Sequence, residues 1–318
     1  MGGTQLIDLQ GVVFLRREAL ADGWTDRQIQ AKVRSGEWHR VRRGAYVSGD
    51  LWRSLSTTDR HRVLSRAVLR TAHRTAVLTH VSAAVELGVP VWGCDLSEVH
   101  VTRTDGKSGR REGGVVHHRG LLPEDQVIHR NGVRVSTGAR AAVEVCSILE
   151  VEAALVSVNG LLHAGETTPA ELAAMARATE TWPHSLTTDI VVRLADERIE
   201  SAGESRTAYL CWSQHLPRPE PQFEIRDSRG IVLHRLDFAW PQHGAFLEFD
   251  GREKYVRYRR DGESLEEYLM REKRREELIC QLTGWVCIRI TWADLQTPLA
   301  TARRIRAVLE RRTKSMGA

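Results

Sequence analysis

The sequence predicts an α/β (α+β) protein in three successive segments, at residues 1–55, 56–180 and 188–318. Three observations lead there. A helix, a turn, a second helix and a basic hairpin open the chain. Helical patterns surrounding alternating strands follow. The last third runs helix, three strands, helix, strand, helix, an order that makes a mixed sheet flanked by helices. A chain of 318 residues is also long enough to divide into more than one core.

The first segment opens with FLRREAL, which has helical spacing and stops at Asp22-Gly23. Thr25 begins a second helix, TDRQIQAKVRSG. Thr25 and Gln28 stand in capping-box spacing and Gly36 suits the helix end. WHRVRRGAYVSGD then alternates around Gly44 as a short hairpin, giving the order of a winged helix-turn-helix. Arg27, Lys32, Arg34, Arg40, Arg42 and Arg43 stand there against one acid, Glu37. Such proteins set the second helix in the DNA major groove and hold phosphates with flanking cations. Arg27 and Gln28 are therefore expected at base edges, with Arg40, Arg42 and Arg43 on the wing. The plain alternative is an Arg-rich solvated face.

In the second segment, residues 57–88 read as mostly helical and 96–136 as strands around the polar loop DGKSGRREGG. His117 and His118, adjacent on a strand, face opposite sides and read as exposed sheet residues. Helices are expected at Gly138–Ile148, Val151–His163 and Pro169–Ala178, with TETWPHSLTT as a linker and a boundary near 180–187.

The third segment begins with a long helix from Thr188 to His215. The strands QFEIRD, IVLHRLDFAW and FLEFDG follow, then a charged helix, the strand WVCIRITW and a terminal helix. With Pro241–Gly244 as the loop of LDFAWPQHGAFLEFDGREKY, Asp237 falls opposite Glu248, and Asp250 shares the Glu248 face. Like charges placed opposite each other cost about 0.2–1 kcal/mol, which a bound cation reverses. Carboxylates with waters are what Mg²⁺ or Mn²⁺ accepts in phosphodiester chemistry. Lys254 and Arg252 follow closely as candidate phosphate partners, and Glu204 adds an acid if its helix crosses the sheet edge. Arg271, Lys273, Arg274 and Arg275 offer further charge, although pairs such as Glu267 and Arg271 read as an ordinary salt-bridged helix face. A surface hairpin with acids toward solvent remains the alternative. The apolar residues Leu236, Phe238, Leu247 and Phe249 in the same strands favour a buried opposite face. Trp285 and Trp292 read as core anchors.

The hydrophobic share is 42%, the charged share 27% and the net charge +5, which suits a soluble globular protein compatible with a polyanionic partner. The five cysteines, Cys94, Cys146, Cys211, Cys280 and Cys287, form no C-x-x-C pair and read as small buried residues in a reducing compartment. The opening MGGTQLIDLQ lacks the pattern of a signal peptide. No apolar run of about 18 residues is present to span a membrane. A cytoplasmic location is expected.

Two resemblances extend this reading. GVVFLRREALADGWTDRQIQAKVRSGEWHRVRRGAYV resembles the N-terminal winged-helix domain of the type IV abortive-infection antitoxin family. That resemblance implies DNA binding, often repression of the protein's own operon, and a cognate toxin or a homo-oligomer as partner. ESAGES, LDFAWP, FLEFDGREKY and EKRREELICQLTGWVCIRITWADL resemble the very-short-patch-repair-like branch of the PD-(D/E)XK nuclease superfamily, over about residues 198–310. The resemblance implies a restriction-endonuclease-like fold and a magnesium-dependent endodeoxyribonuclease. Its metal ligands are Asp237, Glu248 and Asp250, with Glu204 as the helix acid. Asp250 stands where the superfamily's acid-x-Lys signature has lysine, and Lys254 is the substitute. The rival expectation is a non-enzymatic, antitoxin-like repressor with a degenerate nuclease fold.

Overall fold

The computed structural model describes residues 7–107, 109–251 and 262–316, with side chains to residue 313. Among these residues it is a mixed α+β structure with three sheets, and it divides into two compact units, Met1–Ala195 and Asp196–Ala318.

The first unit starts with the strand Phe14–Leu15 and the helix Arg16–Ala21. After a turn comes the helix Asp26–Arg34. Its capping box is formed: the Gln28 N–H donates to the Thr25 hydroxyl and the Thr25 N–H to the Gln28 side-chain oxygen. Strands Trp38–Arg42 and Ala45–Ser48 make the hairpin, and Phe14–Leu15 pairs with its second strand to complete a three-stranded sheet. Leu9, Val13, Leu15, Ala45 and Val47 meet Leu55, Val63 and Ala67 in one core. Ala19, Ile29 and Tyr46, with Trp24 and Trp38, form a second cluster that fixes the two helices against the hairpin.

The rest of this unit is a six-stranded sheet. Its spatial order is Arg111–Glu112, Val115–His118, Val99–Arg103, Ala76–Leu78, Val133–Ser136 and Val127–Arg130. The mostly helical stretch 57–88 is two helices, Thr57–Leu69 and His80–Glu86, with the short strand Ala76–Leu78 between them. A three-residue central strand carries too little alternation to be seen in sequence. Glu86 is fully buried. It accepts from Arg66 at 2.8 and 3.0 Å and from the Asn131 amide at 2.9 Å, and lies 3.7 Å from the buried Arg62. Helices Gly138–Cys146, Val151–His163 and Pro169–Ala178 lie where the periodicity places them. The stretch read as a linker ends in the helix Ser185–Leu194, which packs on Val151–His163 within this unit. The long helix expected from Thr188 to His215 is two helices, Ser185–Leu194 and Ala202–Ser213.

The second unit begins at the helix Ala202–Ser213 and carries a sheet of Glu220–Arg226, Val232–Trp240, Ala245–Asp250 and Val286–Thr291, in that spatial order. The first three strands are antiparallel. The fourth runs parallel to the third and is reached through the helix Leu265–Thr283. Both faces of the sheet are covered. Phe238, Trp240, Leu247 and Phe249 pack with Ile288, Ile305 and Leu309 on one side. Leu236, Ala239 and Phe246 pack against Ile279 on the other. Trp240 is fully buried and its indole N–H donates to the Pro217 carbonyl at 2.8 Å. Trp285 packs against Phe223 and Trp292 against Phe249, each half-buried at the margin of a core cluster rather than inside it. The five cysteines are free thiols, and burial pushes the Cys146 and Cys211 thiols up to about 12. No helix among the described residues is long and apolar enough to cross a membrane.

Candidate functional site

The hairpin register follows the sequence arithmetic: Trp240 pairs with Ala245, Ala239 with Phe246 and Phe238 with Leu247. A turn of fixed length combined with two-residue alternation dictates this. The antiparallel pairing ends at Phe238 and Leu247, and Glu248 pairs with Arg289 on the parallel strand. On the first strand of the sheet the register brings Gln222, which adopts a left-handed backbone (φ +52°), to Asp237. Gln222 thus stands beside Asp237 on one side of the hairpin, and Arg289 beside Glu248 on the other. The Asp237 carboxylate accepts from the Phe249 N–H at 2.8 Å, which ties it to the neighbouring strand just beyond the last paired residues.

The hairpin opens into a cleft of about 750 Å³ between the sheet and the helix Leu265–Thr283. Glu204, Asp237, Glu248 and Asp250 all line it. Glu204 arrives at the start of its helix because Gly203 lets that helix approach Phe249. Its two oxygens are engaged locally. One accepts from the Ser201 hydroxyl at 2.7 Å, the other from the Glu200 N–H at 3.1 Å and the Gln222 amide at 2.9 Å.

Arginines match the remaining acids. Arg275 reaches Glu248 at 3.4 Å and Glu272 at 3.2 Å, and Arg289 reaches Asp250 at 3.7 Å and Glu276 at 2.6 Å. Burial works against the Arg275 charge, but Glu248, Glu272 and Asp237 outweigh it and hold its pKa above the ordinary value. Arg271 pairs with Glu263 and Glu272, while Glu267 caps its own helix through Ser264, so the expected Glu267–Arg271 pair does not form. Among the described residues no three His, Cys, Asp or Glu side chains converge as a metal-ligand group. The candidate ligands Glu204, Asp237, Glu248 and Asp250 share one cleft. Lys254 and Arg252 lie outside the described residues.

At the other end of the chain, Arg27, Arg34, Arg40 and Arg43 are exposed on the second helix and the hairpin. None of the four forms an ion pair among the described residues. Arg42 is half-buried. Lys32 is paired with Glu37 and lies 5.7 Å over the Trp24 ring. The Gln28 side-chain oxygen is taken by the Thr25 cap. Arginines that face water without acidic partners suit contact with a polyanion.

The stretch between these two ends has a recognisable counterpart. Residues 63–208 match the family model of the AbiEi antitoxin C-terminal domain. The match runs from the helix Thr57–Leu69 through the six-stranded sheet and ends in the helix Ala202–Ser213. It includes neither the basic helix-turn-helix nor the carboxylate hairpin. The chain is also similar to two proteins of Mycobacterium tuberculosis. They are the uncharacterized proteins MT2308 (strain CDC 1551 / Oshkosh) and Rv2248 (strain ATCC 25618 / H37Rv). Each is 25% identical over 293 residues, covering 90% of this chain and 98% of the relative.

Within the segment that matches this family model the structure shows a cluster that sequence reading missed. His118 is not a simple exposed strand residue. Its ring stacks on His80 with centroids 3.5 Å apart, and its Nε2 lies 2.8 Å from His100 Nδ1. The three residues come from separate elements, and a single histidine on a strand carries no signal of such a stack. The paired positions Thr102 and His118 of parallel strands were the nearest clue.

Proposed function

We propose that the protein is a DNA-binding regulator of the antitoxin type. The carrying observation is the antitoxin-domain match at 63–208, preceded by a helix-turn-helix whose Arg27, Arg34, Arg40 and Arg43 face outward unpaired among the described residues. The helix Asp26–Arg34 enters the major groove, and the hairpin arginines hold flanking phosphates. A cognate toxin, or a second copy of the chain, is the protein partner. The test is fluorescence anisotropy with DNA from upstream of the protein's own reading frame. Nanomolar to sub-micromolar binding that weakens steeply with salt supports the reading. Absence of binding, or binding indifferent to Arg40→Ala and Arg43→Ala together, overturns it.

The cleft that gathers Asp237, Glu248, Asp250 and Glu204 favours a second reading, hydrolysis of DNA supported by Mg²⁺ or Mn²⁺. A bound divalent ion would supply an activated water and neutralise phosphate charge. For Glu248 and Asp250 to hold it, Arg275 and Arg289 must release them. The ion pairs seen here favour the regulator over the nuclease. Purified protein that binds plasmid DNA yet fails to nick it with either metal removes this reading. Nicking that disappears in Asp237→Ala and Glu248→Ala while binding persists establishes it.

A further inference from the structure

Beneath the six-stranded sheet lies a second cavity, of about 480 Å³, lined among others by His80, His118, Arg119, Arg140, Met175 and Trp182. Its volume lies in the range of about 300–1,000 Å³ typical of small-molecule sites. The stacked His80 and His118 imidazoles, inclined by 15°, border it. His80 sits in a left-handed backbone (φ +54°), held there by its N–H donating to the Glu144 carboxylate at 3.0 Å. Its Nδ1 is buried without a hydrogen-bond partner, 4.0 Å from Glu144. A strained non-glycine backbone and an orphaned buried nitrogen on one residue are the kind of cost that folds retain at functional places. Burial holds both rings neutral, His118 down to about 2.

One wall is aromatic. The Arg140 guanidinium lies 4.4 Å over the Trp182 ring. Its donors go to Glu144 at 2.8 Å, Gln126 at 2.8 Å and the Leu121 carbonyl at 3.1 Å, so its charge is matched inside the protein. Arg140 therefore offers a flat face rather than a free cation. Arg119, also lining the cavity, is exposed and forms no ion pair among the described residues. Leu121, 73% exposed, and Ile148, 38% exposed, add uncovered apolar surface to the lining.

Neutral flat rings, a tryptophan wall and one uncompensated arginine define the complementary ligand. We propose that this cavity binds a small planar aromatic molecule bearing one anionic group, with its ring against Trp182 and its anion at Arg119. The proposal does not depend on DNA binding by the N-terminal helices. An aromatic carboxylate and a nucleoside monophosphate share this chemistry, and the experiment separates them.

Isothermal titration calorimetry on the full chain uses benzoate and adenosine 5′-monophosphate as probes, with cyclohexanecarboxylate and inorganic phosphate as non-aromatic controls. One aromatic anion is expected to bind at least tenfold tighter than its control. Benzoate as the tighter probe marks a carboxylate site, and the monophosphate a nucleotide site. Arg119→Ala, at an exposed position, should weaken binding about tenfold with unchanged thermal melting, and Trp182→Ala should weaken it similarly. Absence of binding by both aromatic anions at millimolar concentration overturns the proposal, as does binding indifferent to Arg119→Ala.

Discussion

Gly203 stands so close to Phe249 that a methyl group on residue 203 would lie 2.0 Å from the Phe249 Cε1 atom. The ring cannot easily yield, because it is 3% exposed and packed edge-on against Trp292 with centroids 5.1 Å apart. This approach brings the helix Ala202–Ser213, and Glu204 with it, to the carboxylate cleft.

Gly203→Ala is expected to destabilise the second unit. Alanine in a helix gains up to about 1 kcal/mol over glycine. Overpacking a well-filled core costs about 1–3 kcal/mol, and the clash here is severe enough to decide the sign. Urea unfolding of the variant should show a lower midpoint with an unchanged slope.

Glu86→Ala should be among the most damaging substitutions in the first unit. It strips a buried carboxylate from Arg66, Asn131 and Arg62, leaving two guanidinium groups that are 6% and 1% exposed without it. Removing one partner of a buried pair costs about 3–5 kcal/mol. The measurement is equilibrium unfolding, and a loss below 1 kcal/mol would contradict the network described.

The basic helix-turn-helix separates two kinds of side chain. Arg40→Ala should weaken DNA binding on all sequences alike and reduce the salt slope by about one. Gln28→Ala should act differently, because its oxygen caps the helix through Thr25. It is expected to lower stability by about 1 kcal/mol. Anisotropy at several salt concentrations and a melting curve check the two outcomes.

Acid should weaken the first unit through the imidazole stack. Burial lowers the pKa of His80, His100 and His118, with His100 at about 4. Neighbouring imidazoles and arginines add to the effect, and Glu98 and Glu144 partly oppose it. In the unfolded chain these groups take up protons below about pH 6.5, whereas the folded chain does so only well below that. Stability is therefore full above about 6.5 and falls as pH drops toward 4, by about 1.4 kcal/mol per pH unit for each imidazole. Unfolding free energies measured between these pH values test this. His118→Phe keeps a ring in the stack and should remove about one proton from the slope.

Local chemistry made much of the architecture legible. The Thr25–Gln28 cap and the order of elements in the last third follow from short-range patterns. So does the hairpin register from Trp240 opposite Ala245 to Phe238 opposite Leu247, which needs only a turn length and strand alternation. The three-residue strand Ala76–Leu78 and the break at residues 195–201 were not legible, because each depends on packing rather than on its own sequence.

What the sequence determined by itself, then, is which carboxylates share a face and which arginines crowd the first helix-turn-helix. The tertiary structure decided what those charges meet. Glu248 finds Arg275 on a helix 27 residues later, and Asp250 finds Arg289 on the parallel strand. Hairpin register is set by bonds within one turn, so it survives reading in one dimension. Charge pairing and the meeting of His80, His100 and His118 arise only when distant segments pack, and no spacing along the chain encodes them.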